Sequence, residues 1–425
     1  MAKPPPTASS SPAVSVTDAV GWRRLFDVFE IRPYRLLWLG TLFSFGAMQM
    51  QGVARGWLVY KLTGSATALG GVTFAVGLPM VLLSLFGGVA ADRWNKRNVI
   101  LISQSMLCLV NFGLAILITI GVIQYWHVVI GAVLNGIVFS LNGPARTSLV
   151  ADLVPEEKLT SAIAFNSTGT NLTAVAGPAV AGALIAAFGV EAAYYITSTF
   201  YLIAIVTIRG IPILAKAPIK RTVLGDLLEG LRFVRVNGTI RLLLVWTLLV
   251  VLFGMQYQVL LPVFAVDVLH VGASGLGTLL SAVGIGGLLG SLALAFLGDF
   301  EKKTMLLAGS CLALAAGLIF FSAVHVYALT LVGLGVVGFA GITYMATNNT
   351  IVMVTAGQQM RGRVMSLNTL GFGLQPMLAL PVGIMADNLG APLTVISAAS
   401  VLLLGTVLLV GFRSALSADS GISAQ

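Results

Sequence analysis

Apolar positions in this chain are gathered into long runs separated by short polar intervals. A helix needs about 20 apolar residues to cross the hydrocarbon core of a bilayer. Twelve runs reach that length, at 36–60, 67–91, 98–121, 126–150, 160–188, 191–210, 240–267, 274–298, 303–322, 326–354, 363–387 and 391–412. The longest polar interval, from Arg209 to Arg241, falls between the sixth and seventh runs and parts them into two sets of six. The pattern predicts an all-α polytopic membrane protein with twelve transmembrane helices. Its parts are an N-tail over 1–30, a six-helix bundle over 31–210, a linker over 211–239, a second six-helix bundle over 240–412 and a C-tail over 413–425. The opening MAKPPPTASSSPAVSVTD is rich in Pro and Ser and reads as a disordered tail, followed by an amphipathic stretch near Trp22–Tyr34. No cleavable signal peptide is evident there.

Composition agrees with lipid as the main solvent. The chain is 57% hydrophobic and 9% charged, whereas a soluble domain carries about 25% charged residues to wet its surface. The 48 glycines suit membrane helices that pack closely. The net charge of +9 forms no single basic patch, so nucleic acid is not an expected partner. Instead the basic residues recur in clusters between apolar runs. With both termini placed in the cytoplasm, 21 of the 24 Lys and Arg fall on the cytoplasmic side, Arg55 and Arg146 lie inside helices, and only Lys61 lies outside. That bias orients the chain with both ends inside. Cys108 and Cys311 each sit in an apolar run without metal-ligand spacing and read as small buried residues.

The two sets of six helices repeat. At an offset of 207, Gln49 falls on Gln256, Gly70 on Gly277, Asp92 on Asp299 and Lys96 on Lys303. At an offset of 202, Gly136 falls on Gly338, Arg146 on Asn348 and Asn166 on Asn368. A nearly constant offset across equivalent helices implies two halves related by an axis along the membrane normal.

Signatures of an enzyme are missing. The chain has no GxxxxGK[ST] phosphate loop. Gly333, Gly335 and Gly338 spell GxGxxG, but inside an apolar run with no strand before it, so they read as helix-packing glycines. His127, His270 and His325 lie far apart at helix ends and lack HExxH spacing. Neither a catalytic residue, a metal site nor a cofactor is expected.

The strongest local signal is GGVAADRWNKRN at 87–98. It puts Asp92 at the end of one helix and Arg93, Lys96 and Arg97 in a tight turn before the next. Such a carboxylate can satisfy free N–H groups at a neighbouring helix N-terminus, and the cations can pair with acids on adjacent helices. The stretch resembles the G-x-x-x-D-R-x-G-R-R loop of the major facilitator superfamily through Gly88, Asp92, Arg93, Lys96 and Arg97. Asn95 replaces the second Gly, and Asn also tolerates a left-handed turn conformation. The resemblance implies a major facilitator fold in which this loop gates the cytoplasmic side. Asp92 would face the start of helix eleven near Arg361 and Arg363, and the cations would meet Asp152. In helix five, GTNLTAVAGPAVAGA at 169–183 resembles the G-P-x-x-G-G motif of exporters in this superfamily, through Gly177, Pro178 and Gly182 with Ala181 in place of one Gly. There Pro178 removes a backbone hydrogen bond and bends the helix. The phrases LTGSATALG, NGPARTSLVADLVP and GPAVAGAL are similar to the branch that holds enterobactin-type siderophore exporters and macrolide efflux proteins.

Polar side chains inside hydrocarbon are costly and tend to face an internal cavity. They gather on helices 1, 4, 7 and 10, which line the central path in this superfamily. The candidates for a substrate cavity are Gln49, Arg55, Asn135, Asn142, Arg146, Gln256, Tyr344 and Asn348. For Arg146 a second reading stands open, in which it snorkels to the cytoplasmic face and pairs with Asp152. None of the 15 acidic residues is expected at mid-membrane, which leaves Glu191 and Asp267, at the outer edge, as the candidates for proton coupling by elimination. The reading is a monomeric exporter of small amphipathic molecules in a bacterial inner membrane, working by alternating access in exchange for protons. An uptake permease and a non-transporting receptor on the same scaffold are the alternatives.

Overall fold

The structure is a computed structural model that describes residues 26–93, 95–213, 232–298 and 302–419. The side chains of 84–93 lie outside that description. So do most of the expected N-tail, most of the linker, Asp299 and residues 420–425.

Among the described residues, twelve long helical segments follow in order. The first six are α1 (Arg32–Thr63), α2 (Ala66–Arg93), α3 (Lys96–Thr119), α4 (Tyr125–Leu153), α5 (Glu156–Phe188) and α6 (Val190–Arg209). The second six are α7 (Gly238–Val268), α8 (Gly272–Leu297), α9 (Lys303–Ala323), α10 (Tyr327–Gly357), α11 (358–389) and α12 (Ala391–Asp419). Among the described residues, ten of these are long and apolar enough to cross a membrane. In α1 the apolar run is diluted by Gln49, Gln51 and Arg55. In α11 the helix is interrupted, first by Gly357 at φ 65°, which separates it from α10, and then by a 3-10 turn at Gln375–Leu378.

Local chemistry sets the boundaries. Pro33 opens α1, where its missing N–H costs nothing. Gly64, at φ 60°, closes it and donates its N–H to the Tyr60 carbonyl. Asn95 was expected to tolerate a left-handed turn, yet its backbone is extended and its side chain accepts from the N–H groups of Arg97 and Asn98. It therefore serves as the N-cap of α3, a role in which Asn is strongly preferred. Helix α7 contains two π-turns, Val250–Gly254 and Phe264–Val268, on either side of a break at Met255–Gln256.

The apolar surface points outward as well as inward. Ile102, Leu109 and Leu404 are 69%, 71% and 62% exposed along their helices, a placement that only lipid would satisfy. Within the first half α1 packs on α5 and α6, α2 on α4, and α3 on α4 and α6. In the second half α8 and α9 pack on the 327–373 helix, and α12 packs on α9 and α11. Two extensive seams join the halves: α2 against α11 and α5 against α8.

These contacts obey the sequence repeat. A Cβ at Gly136 would collide with the Val76 carbonyl oxygen, and one at Gly338 would collide with the Val283 carbonyl oxygen. Val76 and Val283 are themselves 207 apart. The seams correspond too: Gly77 on α2 meets Pro376 of α11, and its counterpart Gly284 on α8 meets Ala174 of α5. The same close helix approaches recur in both halves, as a pseudo-twofold arrangement requires.

Candidate functional site: a central cavity

A cavity of about 520 Å³ lies between the halves. Residues related by the 207 offset face each other across it: Gln49 and Gln256, Gly52 and Val259, Arg55 and Pro262, Leu69 and Leu276. It therefore straddles the pseudo-twofold axis. Along α8 the lining runs from Leu276 to Leu288, roughly 18 Å at 1.5 Å rise per residue. The walls mix aliphatic side chains with the amides of Gln49, Gln256, Gln258, Gln375 and Asn171.

Three of the eight expected cavity residues line it: Gln49, Arg55 and Gln256. The small residues of helix five position the first of these. A Cβ at Gly177 would lie 2.7 Å from the Gln49 Cβ, so glycine lets α5 close on α1 at that point. Pro178 and Gly182 form the α5 surface against which Gly277 of α8 packs, and α5 continues as one helix through Pro178. Gln256 has a structural task as well. Its Nε2 donates to the Val251 carbonyl at 3.1 Å and to the Gln375 carbonyl at 3.0 Å, satisfying backbone at the break in α7 and tying it to α11. Arg55 is partly exposed and has no hydrogen-bond or ion-pair partner among the described residues.

The other five do not line this cavity. Asn135 is buried and donates to Gln51 Oε1 at 2.9 Å, which Tyr201 also approaches at 3.3 Å. Arg146 is 5% exposed, and its guanidinium donates to Thr41 Oγ1 at 2.7 Å and Ser44 Oγ at 3.2 Å, beneath the Phe45 ring. It does not snorkel to Asp152: the hydroxyls of α1 satisfy its fork inside the half. Asn142 lies nearby on α4, and its Oδ1 has no hydrogen-bond partner among the described residues. In the second half Tyr344 and Asn348 converge on Thr247 Oγ1 at 3.3 and 3.1 Å, and Thr247 donates to Asn368 Oδ1 at 3.0 Å. Arg146 and Asn348 are repeat partners, and each bonds hydroxyls on the first helix of its own half. Their polarity is spent on holding helices together.

One end of the cavity is sealed where α1 meets α2 and α7 meets α8. Tyr60 donates its hydroxyl to the Asp267 carboxylate, and these residues are 207 apart, so each meets its own repeat partner near the axis. Asp387 of α11 reaches across the seam to the start of α2. It accepts from Ser65 Oγ at 2.6 Å, the Ala66 N–H at 2.7 Å and the Thr67 N–H at 2.9 Å. A carboxylate there caps orphan N–H groups and complements the positive helix end. Deeper down, Ser281 Oγ donates to the Val175 carbonyl at 2.8 Å across the α5–α8 seam. Sequence reasoning missed the Asp387 cap, although the turn Gly64-Ser65 opening a helix was a usable cue.

At the opposite end, Lys96 Nζ lies 2.6 Å from Asp152 Oδ2, so one of the cation pairings expected of the loop is present. Arg97 instead donates to the Ile208 and Arg209 carbonyls at 3.3 and 2.7 Å, closing the C-terminus of α6. Gly88, Asp92 and Arg93 have side-chain positions outside the described residues. Glu191 sits in the first turn of α6 beside Gly189, away from the cavity lining.

Two pseudo-symmetric helical halves around a central cavity, with lipid-exposed apolar flanks, define a membrane transporter of the major facilitator fold. Residues 25–422 match the family described as transmembrane secretion effector, and the chain belongs to it. It is 29% identical over 371 residues to the multidrug efflux pump Tap of Mycolicibacterium fortuitum, covering 84% of this chain and 90% of that protein. It is 26% identical over 347 residues to the staphyloferrin A transporter of Staphylococcus aureus, covering 80% of this chain and 85% of that one. Among solved structures, a POT family transporter in complex with 5-aminolevulinic acid superposes with a TM-score of 0.72 at 11% identity, covering 90% of this chain and 96% of that chain.

Proposed function

We propose that the chain exports small amphipathic molecules by alternating access, in exchange for protons, with both termini on the cytoplasmic side of a bacterial inner membrane. The observation that carries this reading is the cavity on the pseudo-twofold axis, closed at the end where α1 meets α2. The distribution of Lys and Arg supports placing that end outside. The state described is then inward-facing, ready to load from the cytoplasm. Relatives known as an efflux pump and a siderophore transporter support the outward direction.

Two carboxylates at the outer seal, Asp267 and Asp387, support the proton half of the exchange. An ionised carboxylate accepts hydrogen bonds on both oxygens, and protonation removes part of that capacity. A proton arriving from outside would loosen the seal and favour the outward-facing state. The loop carrying Gly88, Asp92, Arg93, Lys96 and Arg97 would latch the opposite side in that state. The cavity is built within one chain, so a monomer suffices.

The test uses everted membrane vesicles energised by respiration, with a fluorescent reporter of the proton gradient. Catecholate siderophores, macrolides and lipophilic cations are added in turn, with vesicles lacking the protein as control. Protein-dependent collapse of the gradient on adding a compound is the expected result. Accumulation of a compound in the vesicles with no effect on the gradient would refute proton exchange, and absence of any accumulation would refute export of these classes.

A further inference from the structure

We infer that Arg55 makes the cavity a site for amphipathic molecules that carry an anionic group, a carboxylate or its equivalent, bound directly by the guanidinium. The inference rests on the export reading above and names the substrate class of that site.

Arg55 is the one charged side chain among the described residues that line the cavity. Two other arginines of the bundle have settled partners: Arg146 holds two hydroxyls and Arg97 holds two backbone carbonyls. Arg55 has neither a hydrogen bond nor an ion pair among the described residues. A cation set among the largely apolar groups of a cavity wall without a counter-charge is disfavoured, and the cost falls when an anion enters the same space. Asp267 and Asp387, at the seal, are bonded to Tyr60 and to the start of α2 rather than to Arg55.

The repeat shows that the cation is not required by the fold. The residue equivalent to Arg55 is Pro262, which lines the cavity from the opposite half. The second half lines the cavity from the equivalent position with no charge there. Elsewhere the repeat partners on the axis, Gln49 and Gln256, are identical and both face the cavity. The asymmetry falls on the residue with chemistry to offer a ligand. A planar guanidinium grips a carboxylate through two parallel N–H bonds, with amides such as Gln49 and Gln258 at hand for neutral polar groups. Val53, Val59, Val72 and Leu276 are among the apolar side chains of the wall.

The test compares acids with their own esters, so that only the charge changes. Fluorescence polarisation on the purified full chain in lipid nanodiscs would measure binding of two pairs. One is rhodamine 110 and its methyl ester, rhodamine 123. The other is 11-(dansylamino)undecanoic acid and its methyl ester. Wild-type protein should bind the acid of at least one pair about tenfold more tightly than the ester, the effect of one charge-assisted pair shielded from water. Arg55→Gln should bring the acid's affinity down to that of the ester, and Arg55→Lys should restore part of the difference. Equal binding of acid and ester, or an acid preference that survives in Arg55→Gln, would overturn the inference while leaving export standing. The wild-type comparison decides the matter even where the variant does not fold. Binding of neither member of either pair would also overturn it, and the vesicle assay then tells whether the export reading falls with it.

Discussion

Asp387→Asn probes the outer seal at its most fully bonded point. The native carboxylate accepts three hydrogen bonds, from Ser65 Oγ at 2.6 Å and from the N–H groups of Ala66 and Thr67 at 2.7 and 2.9 Å. Asparagine keeps one acceptor oxygen and turns an NH₂ donor toward groups that are themselves donors. A helix N-cap contributes about 1 kcal/mol, and a negative charge at a helix N-terminus adds about 0.3–1 kcal/mol. Asp387 is exposed, so the larger values for hydrogen bonds to buried charges do not apply. The sealed state should lose about 1–2 kcal/mol relative to the open one, roughly a 5- to 30-fold shift in their ratio. Gly52 offers a reporter, because it lines the cavity and a Cβ there meets nothing within 4 Å. With Cys108 and Cys311 replaced by alanine, Gly52→Cys would be labelled in intact cells by a membrane-impermeant maleimide. The labelling rate should rise about 5- to 30-fold in the Asp387→Asn background. A change below about twofold would show that the cap contributes too little to hold the seal, and the reasoning from Asp387 would fail.

Gly338→Ala should destabilise the fold by about 1–3 kcal/mol, because its Cβ would strike the Val283 backbone of a neighbouring helix and neither helix can yield cheaply. Gly335→Ala, one turn away with open space at its Cβ, should be neutral or slightly stabilising in the same detergent melting assay. Thr247→Val removes the hydroxyl on which Tyr344, Asn348 and Asn368 converge. Leaving those groups unsatisfied in a buried site should cost about 1–3 kcal/mol, read as a fall in melting midpoint; an unchanged midpoint would refute the network. Lys96→Gln breaks an ion pair whose members are 27% and 39% exposed. It should therefore move stability by less than about 1 kcal/mol, so any large loss of transport in that variant reports on gating rather than folding.

Much of this architecture was legible in the chain itself, and the reason is physical. Hydrocarbon imposes a length on every crossing helix and a side on every basic loop, and both are local properties that need no knowledge of packing. The offsets of 207 and 202 already paired Gly136 with Gly338 and Gly70 with Gly277, and the structure spends these glycines on close helix approach. Gln49, Arg55 and Gln256 were expected at the cavity because they lie on helices one and seven, which line the central path in the superfamily the chain resembles, and they do line it.

What only the tertiary structure decided is the rotation of each helix about its own axis. One residue corresponds to about 100° of turn, so a polar stripe fixes which side chains share a face but not which neighbour that face meets. Asn135 and Arg146 on α4 turned to α1 within their own half, while Tyr344 and Asn348 turned to α7. The seal lay equally out of reach. Asp387 caps a helix more than 300 positions away, and Tyr60 finds Asp267 across the axis. Sequence put these acids at the outer edge, and folding decided which donors they would meet.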